Sequence, residues 1–150
     1  MKTILITAFL FFQLSAGAQI YVQLKIVGKA ATFESQVDAG NLSAEKIHEV
    51  TLKWIEATFL SEDVITQNTP ARIAARFFQD YTTDSWSGEK EHSLVIDIKG
   101  NMAFFTISDT KLGLISPEGE WKEHLAKMRV MYEKAANELF WSYESALKKG

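Results

Sequence analysis

Histidine is the side chain in this sequence that could act as a general base or a metal ligand near neutral pH. His48 lies three residues after Glu45, and His124 lies four residues after Glu120. Either spacing places an imidazole and a carboxylate on one face of a helix, but a zinc site needs three or four converging ligands. We interpret both groups as solvated helix faces with charge pairs. The sequence therefore predicts no metal site and no cofactor.

Nucleophilic and acid catalysis also lack a supporting pattern. The segment Ser85-Trp86-Ser87-Gly88 has neither the first glycine nor the following helix of a nucleophile elbow. Asp97 and Asp109 could face each other across a hairpin, but acids on the solvent face of a sheet usually serve solubility. His92 begins a strand, where we expect it to be exposed or at an edge. The chain is therefore predicted not to be an enzyme.

Composition excludes further classes. The chain has 150 residues, no cysteine and a formal net charge of -3. The absence of cysteine excludes disulfides, thiolate metal sites and cysteine nucleophiles. Binding to nucleic acid needs concentrated lysine and arginine, and a mildly acidic balance offers no such surface. We therefore predict no nucleic-acid partner.

The first eighteen residues have the pattern of a secretory signal peptide. Met1-Lys2-Thr3 supplies a positive start, an apolar run of 11 residues extends from Ile4 to Leu14, and small residues fill positions 15–18. A membrane-spanning helix would need about 20 apolar residues. We predict cleavage between Ala18 and Gln19. Residues 19–150 then form one domain exported to the periplasm or the exterior, with no transmembrane segment.

The periodicity of the remaining chain predicts strands framed by two helices. Alternating apolar and polar residues predict strands at 20–26, 32–38, 64–65, 72–81, 92–99 and 102–109. Ser43 is a good N-cap for a helix from Ala44 to about Leu60. A second, long helix follows Pro117, because one apolar stripe persists from Trp121 to Ala146. This order predicts an α+β fold, a curved antiparallel sheet of five to seven strands with both helices on one face.

Several of these segments resemble a known family. They are AEKIHEVTLKWIEATFLSEDVI at 44–65, LVIDIK at 94–99, MAFFTIS at 102–108 and the closing helix. In these segments the chain is similar to exported bacterial domains of unknown function with a fold like that of the TATA-binding protein. It departs from that pattern at Ala74-Ala75-Arg76 and at Phe104-Phe105. The resemblance implies a fold and a compartment, but no activity.

Two regions are candidates for contact with a ligand or partner. Trp86 stands in a polar stretch, Thr82 to Lys90, which we expect to be a loop. A lone tryptophan in such a loop either packs back onto the sheet or contacts a partner. On the sheet face opposite the helices we expect an apolar patch comprising Phe78, Val95, Phe105 and Ile107. Trp86, Phe78 and Phe105 are therefore the predicted contact residues.

Three functions remain open. The favoured one is a non-enzymatic exported module that binds an unidentified protein or another ligand through the open sheet face or the Trp86 loop. The alternative is a carrier of a small apolar ligand gripped between helix and sheet, which the aromatic residues suggest: Trp54, Phe59, Phe77, Trp121 and Tyr132. A hydrolase that uses one of the three histidines is the least favoured.

Overall fold

A computed structural model describes residues 20–27, 30–82, 87–109 and 120–150, without the side chains of residues 26, 27, 30, 31, 109 and 120–128. The predicted signal peptide and Trp86 lie outside the described residues. The elements are β1 (Gln23–Val27), β2 (Ala30–Asp38), α1 (Ala44–Phe59), β3 (Ile65–Thr69), β4 (Arg72–Thr82), β5 (Ser87–Lys99), β6 (Met102–Asp109) and α2 (Glu120–Lys149).

The described strands form one antiparallel sheet. Their order is β1-β2-β6-β5-β4-β3, so β6 returns to pair with β2 while β3, β4, β5 and β6 follow one another as hairpins. Both helices pack on the same face, and the predicted α+β architecture is confirmed. We call the helix side of the sheet the covered face and the other side the open face.

Local sequence explains the two helices. Ser43 caps α1 by accepting a hydrogen bond from the Lys46 backbone N–H at 3.2 Å, and Leu60 ends it with a left-handed φ of 55°. Residues three or four apart bury one stripe of each helix: Ile47, Val50, Thr51, Trp54 and Ile55 in α1, and Tyr132, Ala136, Phe140, Tyr143 and Leu147 in α2. Neither helix in the described part of the chain is apolar enough over its length to cross a bilayer.

Aromatic rings fill the layer between the helices and the sheet. The ring centroid of Phe105 lies 5.4 Å from that of Phe140 and 5.9 Å from that of Tyr143. Trp54 contacts the same group, 5.0 Å from Tyr143. Edge-to-face and offset contacts of this kind add to the free energy gained by burying the rings.

Two strands are longer than their side-chain patterns predict. β3 continues to Thr69, where we expected a turn, and β5 begins at Ser87 although a loop was expected up to Lys90. Thr82 pairs with Ser87 and Tyr81 with Gly88. Cross-strand hydrogen bonds join backbone groups, so a polar segment can continue a hairpin without apolar side chains.

Candidate functional site

The histidines do not form a catalytic or metal-binding group in the described residues. His48 Nε2 lies 2.7 Å from Asn68 Oδ1, between α1 and β3. His92 was expected to be exposed or at an edge, and that prediction is wrong. The residue is only 3% exposed and lies on the covered face of β5, which is inside the sheet between β6 and β4. The side chain of His124 lies outside the description. Within the described part of the chain, no cluster of three or more His, Asp or Glu side chains could hold a metal ion.

His92 is buried because of its place in the alternation of β5. It shares a side of the strand with Leu94, Ile96 and Ile98, all of which are buried. The His92 Nε2 atom lies 2.9 Å from the Tyr81 hydroxyl, and the ring stacks on Phe77 at 5.3 Å. Buried polar groups need hydrogen-bond partners, and the Tyr81 hydroxyl is one for His92. Packed among aromatic rings, His92 is a residue of the core.

Asp97 and Asp109 do not face each other. Asp97 is opposite Phe104 and Asp109 is opposite His92 in the register of β5 and β6. Arg72 instead binds Asp97 with both ends of its guanidinium, Nε to Oδ1 at 2.6 Å and Nη2 to Oδ2 at 2.8 Å. This hydrogen bonding lowers the pKa of Asp97. The carboxyl group is therefore ionised at neutral pH and is not a proton donor.

The predicted apolar patch on the open face is half correct. Phe78, with 60% of its surface exposed, and the partly exposed Val95 lie on this face. Phe105 and Ile107 do not, because both are buried under the helices, with Phe105 0% exposed. The placement of Phe105 on the open face is therefore corrected. That Phe78 contacts a partner stays a prediction, as does the role of Trp86.

The turn between β5 and β6 decides which face Phe105 occupies. Gly100 and Asn101 form a two-residue loop with a φ of +62° at Gly100, so Lys99 pairs with Met102. That register puts Phe105 opposite Ile96, and directly opposite residues share one face. Phe104, opposite Asp97, consequently lies on the open face.

The aromatic residues proposed to grip an apolar ligand contact one another. Phe59 stacks on Phe77 at 4.7 Å and lies 6.1 Å from Trp54, while Tyr132 meets Tyr81 edge to face at 4.7 Å. The side chain of Trp121 lies outside the description. A surface cleft of about 300 Å³ remains beside Phe59 and Phe77, and we call it the edge cleft.

The open face carries ion pairs between neighbouring strands. Arg72 pairs with Asp97, Lys25 pairs with Glu34, and the Nε atom of Arg76 lies 2.9 Å from a carboxylate oxygen of Glu91. Opposite charges on adjacent strands stabilise a sheet modestly. Charged residues of both signs keep this face hydrated.

One end of the open face forms a groove of about 710 Å³, which we call the N-terminal groove. The groove exists because β1 pairs only with the first half of β2, from Ala30 to Glu34. The residues before β1 do not pair with β2 and contact α2 instead. There the Val22 N–H donates to Asn137 Oδ1 at 2.8 Å, and Trp141 Nε1 donates to the Ile20 carbonyl at 2.6 Å. The second half of β2 is left without β1 beside it.

The N-terminal groove combines aromatic and polar side chains. Tyr21, which is 59% exposed, and Phe104 both line the groove, and Lys99 Nζ lies 5.3 Å from the ring centroid of Phe104. Gln36 and Asp38 line the groove along β2. Asp38 Oδ1 accepts hydrogen bonds from the Gly40 N–H at 2.8 Å and from Asn101 Nδ2 at 2.9 Å, which fix its position.

Sequence reasoning missed the residues of this groove. The signal for Phe104 was available, because a two-residue turn at Gly100 and Asn101 implies that it faces Asp97. No signal in the sequence marked Tyr21 and Gln36, because the groove depends on where the pairing of β1 ends and on the docking of residues 20–22 onto α2.

Comparison with known proteins supports the fold. No protein-family model matches the sequence, and no curated protein is significantly similar to it. Among solved structures, the chain is similar to a DUF4468 family protein from Bacteroides ovatus, with 14% identity and a TM-score of 0.59, over 83% of this chain and 90% of that one. It also matches a TBP-like protein from Parabacteroides distasonis, with 15% identity and a TM-score of 0.48, over 57% of this chain and 58% of that one.

At 14% identity, the likeness to the Bacteroides ovatus protein shows a shared fold. The predicted resemblance to a bacterial domain family of unknown function is confirmed at the level of the fold. Because one fold serves many functions, the function must be argued from the site itself.

Proposed function

We propose that this protein is an exported binding module without catalytic activity, and that its ligand binds in the N-terminal groove. The observation that carries the proposal is the groove itself. Its volume of about 710 Å³ lies within the usual range of small-molecule sites, roughly 300–1,000 Å³. Such sites combine apolar or aromatic surface with a few fixed polar groups, as Phe104 and Asp38 do here.

The lining favours a small polar molecule that has one flat or apolar face. Such a ligand stacks on Tyr21 or Phe104 and exchanges hydrogen bonds with Gln36 and Thr106. The lining contains three carboxylates, Glu34, Asp38 and Asp97, and one amine, Lys99. Because carboxylates outnumber the amine, a strongly anionic ligand is not favoured. Asp38 is held in place by two hydrogen bonds, and preorganised groups lower the entropy lost on binding.

The charges around the groove support binding rather than catalysis. Asp97 is paired with Arg72, and this hydrogen bonding keeps its pKa low. His48 lies between α1 and β3, and His92 is on the covered face, so neither reaches the groove. A general acid or base must lie within hydrogen-bond reach of its substrate. The hydrolase interpretation therefore has no support among the described residues.

Export is part of the proposal and rests on the sequence pattern of residues 1–18. Ile20 and Val22 hydrogen-bond to α2, so a chain that begins at Gln19 has its first residues held in place. Mass spectrometry of the protein from a bacterial envelope fraction should show Gln19 as the first residue. A mass that includes residues 1–18 would contradict cleavage.

The groove can be tested by two-dimensional NMR against a set of sugars, amino acids, nucleosides and small carboxylic acids. We expect a ligand to shift the amide signals of Tyr21, Gln36 and Phe104. Phe104→Ala should weaken binding about tenfold, because stacking on an aromatic ring is worth roughly 1 kcal/mol or more.

Phe78→Ala is the matched control, since it removes an exposed phenylalanine from the same face at the far edge of the sheet. It should leave the affinity unchanged. Equal affinity of the Phe104→Ala variant, or shifts confined to another surface, would disprove the groove as the site.

The alternative, a small apolar ligand held between helix and sheet, has less support. Trp54, Phe59 and Phe77 occupy that layer and contact one another. The edge cleft beside them is smaller, about 300 Å³, and opens to solvent along the edge of β4.

A further inference from the structure

The outer edge of β4 is paired along only part of its length. β3 pairs with β4 from Arg72 to Ala75, and the Val64 carbonyl accepts a hydrogen bond from the Arg76 N–H at 2.8 Å. β4 continues to Thr82, and no strand of the described residues pairs with its outer edge beyond Arg76. An unpaired edge presents a row of backbone donors and acceptors to another chain.

The hydrogen bonds made by neighbouring residues of β4 show to which side of the strand these backbone groups point. The Ala71 carbonyl accepts from Ile98 in β5, whereas the Arg76 N–H points to Val64 on the outer side. Because backbone groups alternate along a strand, the N–H and C=O groups of Phe78, Asp80 and Thr82 point to the outer edge. An extended peptide is the ligand whose hydrogen-bonding pattern matches such a row.

The edge cleft lies beside this row, on the covered face. It is lined by Thr58 and Phe59 of α1, Phe77, Phe78 and Gln79 of β4, and Ala135, Glu138 and Leu139 of α2. A strand added to β4 places the side chain opposite Gln79 on the covered face, at the mouth of the cleft. Phe59, Phe77 and Leu139 give the cleft an apolar part that favours an aliphatic side chain there, whereas Gln79 and Glu138 make the rest of the cleft polar.

The charges on the open face indicate which side chain of the added strand lies opposite Asp80. Asp80 is directly opposite Glu89 in the register of β4 and β5, and like charges in this position are unfavourable. Neither carboxylate has an ion-pair partner among the described residues, whereas nearby Glu91 is paired with Arg76. A lysine or arginine opposite Asp80 would relieve this repulsion.

We propose that the outer edge of β4 binds an extended, basic segment of a partner protein as a seventh strand. An aliphatic side chain of that segment enters the edge cleft, and a basic side chain contacts Asp80 and Glu89. Phe78, exposed on the open face, packs against a β-branched side chain on the partner. This surface is at the opposite edge of the sheet from the N-terminal groove, so the two proposals are independent.

The probe is a synthetic peptide with blocked ends and the sequence Lys-Thr-Lys-Leu-Val-Thr. In an antiparallel arrangement its second lysine is opposite Asp80, its leucine is opposite Gln79, and its valine is opposite Phe78. We expect calorimetry to detect binding to the purified protein at submillimolar concentration. NMR should show the amide shifts concentrated at residues 77–82. No binding at millimolar concentration overturns the proposal.

Methylated peptides test whether the backbone carries the interaction. The amides of the second lysine and of the valine face β4 in this arrangement, and the leucine amide faces away. Methylation of the valine nitrogen should abolish binding, whereas methylation of the leucine nitrogen should change the affinity by less than about threefold. If both methylated peptides bind like the parent peptide, strand addition is excluded.

Asp80→Lys should weaken peptide binding roughly tenfold, because it replaces a cross-strand attraction with a repulsion. Glu56→Lys makes the same change of charge at an exposed position of α1 and should have little effect. Equal weakening by both variants would mean non-specific attraction and would refute the proposal. A stable dimer that protects the Phe78 and Asp80 amides from hydrogen exchange would show that a second copy occupies this edge, which also refutes it.

Discussion

The covered and open faces of this sheet come from the same strands but differ in what their residues do. Along β5, Leu94, Ile96 and Ile98 are buried under the helices, while Val95 and Asp97 between them stay partly exposed. The covered face joins the sheet to both helices through apolar contacts. The open face carries ion pairs and the N-terminal groove, and the proposed peptide site uses the outer edge of β4 with residues of both faces. Side chains one residue apart along a strand therefore lie either in the apolar core or on the face without helices.

Polar groups also differ between the two faces. On the covered face they form short buried hydrogen bonds: Thr51 Oγ1 donates to the Ile47 carbonyl at 2.7 Å, and the Tyr143 hydroxyl lies 2.9 Å from Thr51 Oγ1. Because the single hydroxyl proton of Thr51 is used, Tyr143 is the donor in the second bond. On the open face several polar groups form ion pairs, such as Arg72 with Asp97, whose side chains are partly exposed to water.

Phe105→Ala should have the largest effect, because it empties a fully buried site among Trp54, Phe140 and Tyr143. We expect the free energy of unfolding to fall by about 3–5 kcal/mol. Phe104→Ala removes the same side chain one residue away on the open face and should cost less than about 1 kcal/mol. Urea unfolding of both variants measures the difference. Similar losses for the two would mean that the faces are not energetically distinct.

Tyr143→Phe probes a buried polar group. Burial raises the pKa of Tyr143 to about 12, whereas an unfolded tyrosine has a pKa of about 10. The unfolded state therefore loses this proton first, and stability falls as the pH rises from about 10 to 12, by about 3 kcal/mol in total. Below pH 10 the stabilising contribution of the protonated Tyr143 hydroxyl is fully present.

The Tyr143→Phe variant should lose that part of the pH dependence and about 1 kcal/mol of stability at pH 7. Tyr21→Phe is the control, since Tyr21 is exposed. Unfolding curves between pH 7 and 11 give the comparison. If the stabilities of the Tyr143→Phe variant and the native protein run parallel above pH 10, Tyr143 does not titrate as described.

Asp97→Asn should have the smallest effect, because it breaks a pair that is partly exposed. We expect a loss of less than about 1 kcal/mol at pH 7. Arg72 lowers the pKa of Asp97, so the contribution is present above the unfolded pKa of about 4 and is lost as the pH falls through the folded value. The variant and the native protein should therefore converge in stability in acid and in high salt. A large difference that persists at pH 2 would contradict a purely ionic role.

Much of the fold could be predicted from periodicity. The Ser43 cap, the apolar stripes of both helices and the alternation in β4, β5 and β6 correctly indicated an antiparallel sheet with two helices. The ends of β3 and β5 could not be predicted, since polar residues there continue strands through backbone hydrogen bonds. Alternation also cannot tell which side of a strand meets the helices, and this led to the wrong face for Phe105.

The candidate sites were less predictable than the fold. Phe78 was correctly expected to be exposed, and it lies on the edge that we propose binds a peptide. The groove residues Tyr21 and Gln36 carry no local pattern that marks them as partners. They are brought together because Asn137 and Trp141, more than a hundred residues later, hold the segment before β1 on α2.

The sequence by itself determined the elements, because helix and strand periodicities and capping are local properties of the chain. It also determined the pattern of a secretory signal and excluded chemistry that needs cysteine. The tertiary structure alone decided the covered face and the partial pairing of β1 and β3. It thereby decided the groove and the part of the β4 edge with which no described strand pairs. These depend on strand register and on contacts between distant segments, which a local pattern does not encode.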